Sequence, residues 1–160
     1  MINQMYELKD VTFDDLPKAL LLAWNVFSEY EAPECSQEGI QEFKDFIDYE
    51  YFKTKYLTDY FMIGCFHQQK IVGITSFTIN PPYHISLLFV DPAHHKQGIA
   101  RSLFQKIKEH YQKKNECSKI TVNSSPYAVE IYRKLGFTET NSEQIINGIR
   151  FTPMSVPLGY

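Results

Sequence analysis

The sequence predicts one α/β domain, a mixed and mostly antiparallel sheet flanked by helices. Three observations predict it. Between His84 and Leu103 a short apolar run, Ile85 to Val90, stops at Asp91-Pro92 and passes through a polar turn and Gly98 into an amphipathic stripe. That is a covered strand followed by a helix. Before it, Tyr60–His67 and Lys70–Ile79 are apolar segments joined through Gln68-Gln69, which read as a hairpin. After it, Ser118–Asn123 and Ser125–Gly136 repeat the strand-then-helix pattern.

Each element has its own signal. Gln4–Lys9 is a short strand candidate with Met5, Tyr6 and Leu8 as apolar members. Thr12 or Asp14 can cap the first helix; Leu16, Leu20, Ala23, Val26 and Phe27 give it its stripe, and Pro17 in its first turn places the cap at Asp14 or Asp15. Glu29–Cys35 is a loop. Ser36 caps a second helix with Ile40, Phe43, Phe46 and Ile47 on its face, running to about Tyr51. Gly64 and Gly73 fall inside the hairpin strands, where glycine marks a bulge or close packing. Asn80-Pro81-Pro82 is a loop. The central helix carries Ile99, Leu103, Phe104, Ile107 and Tyr111 and ends near Asn115. Ser125 caps the last helix, with Pro126 at its first position and Gly136 at its end. Phe137 opens a terminal β region that includes Ile149–Val156. The predicted order is βααβββαβαββ.

Composition narrows the function. The 160 residues suit one domain, 1–160, large enough for a real core. A formal charge of −3 argues against a general nucleic-acid binder. No apolar run approaches the roughly 20 residues that span a bilayer. Met1–Asp10 carries no charged-then-apolar signal pattern, so a cytoplasmic location is expected. Cys35, Cys65 and Cys117 form no C-x-x-C pattern, and adjacent His94 and His95 are poorly placed to chelate one ion, so no metal is expected.

The turn after the central strand carries the chemistry. A strand, a tight polar turn, a glycine and a helix aim free N–H groups and a helix dipole at one point, which suits phosphate or pyrophosphate. Neither G-x-x-x-x-G-K-[ST] nor G-x-G-x-x-G is present. Instead, V-D-P-A-H-H-K-Q-G-I-A-R-S-L resembles the acyl-CoA-binding motif of the GNAT superfamily of N-acetyltransferases. That motif, [QR]-x-x-G-x-[GA], falls on His95, Lys96, Gln97, Gly98, Ile99 and Ala100; His95 stands where glutamine or arginine is usual. A second block, Thr121 to Phe137, resembles the family's later strand–helix motif ending in Y-x-x-x-G-F.

The resemblance implies acetyl-CoA as cosubstrate, and a splayed parallel pair formed by Ile85–Val90 and Ser118–Asn123. The pantetheine arm would lie in that opening and bond to the backbone near Phe89 and Val90. Arg101 and Ser102, in the first turn after the cradle, are placed to meet phosphate, and Asn123 to contact the thiol end. Tyr132 matches the family tyrosine that protonates the departing thiolate. The base is open among His84, which begins the central strand, Glu31 and Glu34. Eight acidic residues between Glu29 and Glu50, against Lys44 alone, would favour a cationic amine: a polyamine, an aminoglycoside or a lysine side chain. The expected reaction is acetyl transfer to a primary amine of a small molecule by direct attack in a ternary complex. A non-catalytic acyl-CoA-binding module and a protein or peptide N-acetyltransferase are the alternatives. Homodimers are common in the family, and no stretch here shows one.

Overall fold

A computed structural model describes residues 5–159. Met1–Gln4 and Tyr160 lie outside the described residues, and with them the expected start of the first strand at Gln4. The strands are β1 (Tyr6–Asp10), β2 (Tyr60–His67), β3 (Lys70–Thr78), β4 (His84–Val90), β5 (Lys119–Ser124), β6 (Thr138–Glu139), β7 (Gln144–Ile146) and β8 (Ile149–Pro157). The helices are α1 (Leu16–Tyr30), α2 (Gln37–Phe46), α3 (Tyr49–Lys55), α4 (Ile99–Gln112) and α5 (Val129–Lys134). The sheet runs β1-β2-β3-β4-β5-β8-β6, with β7 paired to β8. Every pair is antiparallel except β4–β5.

Two cores cover the two faces of the sheet. On one, α1 buries Leu16, Leu20, Ala23 and Phe27 with Phe52 of α3. On the other, α4 buries Ile99, Leu103, Ile107 and Tyr111 with Phe137. Gly73 of β3 lets α4 approach, since a Cβ there would stand 2.9 Å from Ile99 Cγ2. This packing fixes where α4 begins.

The cap of α1 is Asp15, as expected; Thr12 Oγ1 accepts from its N–H at 3.2 Å and turns the chain into the helix, while Asp15 makes no side-chain cap bond. Other local details differ from the sequence expectation. Helix α1 continues to Tyr30, and Ala32–Glu34 forms a 3-10 turn in the expected loop. The second helix does not run to Tyr51. It breaks after Phe46, because the Asp48 carboxylate accepts from the Tyr51 N–H at 3.1 Å and caps a new helix. The hairpin turn holds Gln68 and Gln69 at φ of 52° and 67°, the paired left-handed geometry of a tight β-hairpin. The terminal β region is three strands.

The parallel pair opens as it leaves its base. β4 and β5 are in register only at His84–Thr121 and Ile85–Val122. A bulge where β4 faces Ser76 and Phe77 makes Ser86 the extra residue, and its hydroxyl donates to the Ser76 carbonyl at 3.1 Å. The serine inside the apolar run is the sequence mark of that bulge.

Candidate active site

The cradle is built by backbone. Asp91 accepts from the Ala93 N–H at 2.9 Å and starts a 3-10 turn. Lys96 and Gly98 then adopt φ of 63° and 81°. Two left-handed residues this close curl the N–H groups inward, a concavity that suits an anion. No side chain caps α4, so the N–H groups of its first turn remain available there. A non-glycine residue at positive φ costs on the order of 1–3 kcal/mol. Ile99, Leu103 and Ile107, each contributing roughly 1.5–3 kcal/mol by burial, offset that cost.

Beside the cradle lies a cavity of about 340 Å³ between the open end of β4 and α5. Lys96, Gly98, Ile99, Ala100 and Arg101 line it, and Gln97 and Ser102 do not. The Arg101 guanidinium donates to the Lys134 carbonyl at 3.0 Å, tying the start of α4 to the end of α5. His95 turns inward, with Nε2 2.9 Å from the Val90 carbonyl oxygen.

The ladder decides which backbone groups of β4 face the opening. Asp91 donates to the Val72 carbonyl at 2.8 Å. Antiparallel pairing alternates, so the backbone of Phe89 is engaged with Ile74, while Val90 and Leu88 turn the other way. Of the expected pair, Val90 turns its backbone to the opening, as does Leu88, and Phe89 lines the cavity there.

A second cavity, about 460 Å³, lies on the other side of the gap. Its apolar wall includes Phe43, Phe46 and Tyr60, and its polar groups include His84, Asn123, Glu42 and Arg150. Asn123, expected against the cofactor, borders this cavity and not the first. Glu31, Leu88, Phe89, Ala128 and Tyr132 line both cavities. The two spaces therefore meet at one carboxylate and one phenol.

The electrostatics there are unusual. Burial, and then the Glu31 charge, push the Tyr132 phenol well above the usual tyrosine range. Burial raises the Glu31 carboxyl to about 7, against a lowering hydrogen bond from the Ser125 side chain and a smaller push upward from Glu34. Ser125 Oγ also accepts from the Ala128 N–H at 3.3 Å, so one hydroxyl starts the turn into α5 and holds Glu31. The sequence showed Ser125 only as a cap. His84 lies at the closed end of the splay, its Nδ1 2.7 Å from Thr121 Oγ1, and burial lowers its pKa. At about 3.3 Å per residue it stands roughly 13 Å along the strand from Leu88.

The acidic rim is narrower than the sequence suggested. Of its eight members only Glu31 and Glu42 line the second cavity. Glu34 pairs with Arg150 at 3.7 Å, Glu50 with Lys53, and Asp48 caps α3.

Comparison with known proteins agrees with this architecture. No curated protein matches the chain. Among solved structures, a GCN5-related N-acetyltransferase from Rhodopseudomonas palustris superposes with a TM-score of 0.81 at 20% identity, covering 98% of each chain. PaiA N-acetyltransferase from Thermoplasma acidophilum, in complex with coenzyme A, gives 0.74 at 18% identity over 95% of this chain and 98% of its own. A spermidine N-acetyltransferase from Vibrio cholerae gives 0.66 at 17% identity over 98% and 95%. Residues 31–158 match the family described as acetyltransferase (GNAT) domain. The cradle at Lys96–Ala100, the splayed β4–β5 pair and this match make the chain a member of the GNAT acetyltransferase family, an acetyl-CoA-dependent acyltransferase.

Proposed function

We propose that residues 1–160 form one N-acetyltransferase domain that moves the acetyl group of acetyl-CoA to the primary amine of a small molecule, by direct attack in a ternary complex. The observation that carries this reading is the meeting of two cavities at Glu31 and Tyr132. One has the backbone cradle and basic side chains that fit a pyrophosphate-bearing cosubstrate. The other has room for an acceptor. Similarity to a spermidine N-acetyltransferase is consistent with a small amine.

Bound acetyl-CoA supplies an activated acetyl carbonyl. Lys96, Gly98 and the first turn of α4 hold its pyrophosphate, and Leu88 and Val90 offer backbone groups to its arm. Glu31 holds the acceptor ammonium and takes a proton from it, which frees the nitrogen lone pair. A carboxyl near 7 is matched to that task at neutral pH. As the new C–N bond forms and the C–S bond breaks, Tyr132 gives its proton to the leaving sulfur. Its raised pKa keeps that proton in place until the thiolate appears. Tyr132 is reset by a proton from Glu31 or from the acylated nitrogen, and the remaining proton leaves to solvent. Cys35 lines the acceptor cavity, but burial first, then Glu31 and Glu34, raise its thiol pKa. That weakens it as a nucleophile and favours direct transfer over an acyl-cysteine route. His84 then serves the acceptor pocket.

The test is release of free thiol from acetyl-CoA with a mixed amine panel. Release that depends on amine is the expected result. Tight acetyl-CoA binding with no release from any amine would leave a binding module.

A further inference from the structure

The second cavity has a roof that α2 and the β7–β8 turn make together. Ser36 N–H donates to the Gly148 carbonyl at 3.3 Å, and Ser36 Oγ accepts from the Gly39 N–H at 3.3 Å. The backbones touch here. A Cβ at Gly39 would stand 2.2 Å from the Gly148 oxygen, and one at Gly148 would stand 2.1 Å from Ser36 Oγ. Gly148 also has φ of 80°. Two glycines and one serine hold α2 and the β7–β8 turn in contact beside the acceptor space.

Rings stand prominently in the walls beneath the roof. Phe27 and Phe43 stack at 3.9 Å, and Phe46 meets Tyr60 edge-on at 5.6 Å. Phe151 of β8 borders the same space. Charge is sparse: Glu31 sits at the junction, Glu42 is exposed, and Arg150 is already paired with Glu143 at 3.1 Å and with Glu34. A volume of about 460 Å³ is the size of a small-molecule site. The Glu31 carboxylate can hold one ammonium. A second ammonium would find only the exposed Glu42 and the faces of the rings, which attract it weakly, whereas an aromatic body stacks on those same rings.

Resting on the proposed small-amine reading, we infer that the acceptor is a monoamine whose amino group is carried on an aromatic body, an arylalkylamine, with the ammonium at Glu31 and the ring against Phe43, Phe46 and Tyr60. This sets aside two acceptors that the acidic rim of the sequence favoured, polyamines and aminoglycosides.

The experiment measures thiol release at saturating acetyl-CoA with 2-phenylethylamine, hexylamine, spermidine, kanamycin and a lysine-containing peptide. Burying a ring should give 2-phenylethylamine a kcat/KM roughly ten- to hundredfold above spermidine and kanamycin. Spermidine, kanamycin or the peptide equal to or better than 2-phenylethylamine overturns the inference and leaves the enzyme reading standing. Failure of every amine, with acetyl-CoA bound by calorimetry, overturns the small-amine reading and the inference with it. In Phe46→Leu, which keeps apolar bulk and removes the ring, the preference for 2-phenylethylamine over hexylamine should shrink. An unchanged preference in the folded variant overturns the inference.

Discussion

The Glu31 carboxylate and the buried Tyr132 phenol stand where the two cavities meet, and the charge of the first helps to hold the proton on the second. In the proposed reaction these two groups are the base and the acid. The following predictions test the parts of that arrangement.

Tyr132→Phe removes one oxygen and little packing. The Tyr132 ring meets Phe137 edge-on at 5.3 Å, and the phenylalanine ring would keep that contact. Melting temperature and acetyl-CoA affinity should hold, while kcat falls by roughly 10²–10⁴-fold. The loss should narrow with an acyl donor whose thiol is more acidic, because that leaving group needs a proton less. Wild-type turnover in the variant would make Tyr132 a packing residue.

Glu31→Gln should lower kcat/KM by a similar roughly 10²–10⁴-fold factor at neutral pH. In the proposed reaction Glu31 is the ionised base, so wild-type activity should rise as pH passes through about 7, and that limb should vanish in the variant. His84→Ala should cost less and keep the limb. If His84→Ala abolishes the limb and Glu31→Gln keeps it, the two assignments exchange.

The same carboxyl makes a prediction about stability. Its folded pKa is raised from 4.5 to about 7, so the folded state binds the extra proton between those values. Its contribution is then fully present below about pH 4.5 and is lost as pH rises through 7. Glu31→Gln, which stays neutral, should stabilise the protein by on the order of 1–3 kcal/mol at pH 8 and by little at pH 4.5. Paired thermal melts at the two pH values check this. An equal shift at both would mean that the carboxylate is not desolvated.

Gly98→Glu brings a side chain and a negative charge into the cradle at φ of 81°. Calorimetry should show acetyl-CoA affinity falling by at least about tenfold, equivalent to 1.4 kcal/mol. Unchanged affinity in a folded variant would place the pyrophosphate elsewhere.

Gly39→Ala forces a methyl group against the Gly148 carbonyl, where only 2.2 Å is available. The backbones must part, at a cost of roughly 1–3 kcal/mol. Thermal melting should fall accordingly, and the KM for the amine should rise more than that for acetyl-CoA. Equal changes in both KM values would mean that the roof does not serve the acceptor side.

Much of this molecule is legible along the chain because its rules are local. The turn glycine Gly98, the four-residue stripe from Ile99 to Tyr111, the Ser125 cap and the apolar run of β4 each follow from spacings of a few residues and together place the cradle, while the splayed pair is implied by the resemblance to the family. The same locality explains the misses. Nothing in an apolar run says which of Phe89, Val90 and Leu88 turns its backbone to the opening. Ladder alternation decides that, and it depends on how β3 pairs with β4. Asp48 breaks the second helix because its carboxylate reaches the Tyr51 N–H, a competition that periodicity alone does not settle. The acidic segment from Glu29 to Glu50 reads as one negative rim, yet folding scatters it. Arg150 takes Glu34, Lys53 takes Glu50, and only Glu31 reaches both cavities, beside Ser125 and Tyr132. A carboxyl comes to titrate near neutrality through the water it loses and the neighbours it gains. Those neighbours come from β5, α5 and the end of α1, so only the tertiary structure could bring them together.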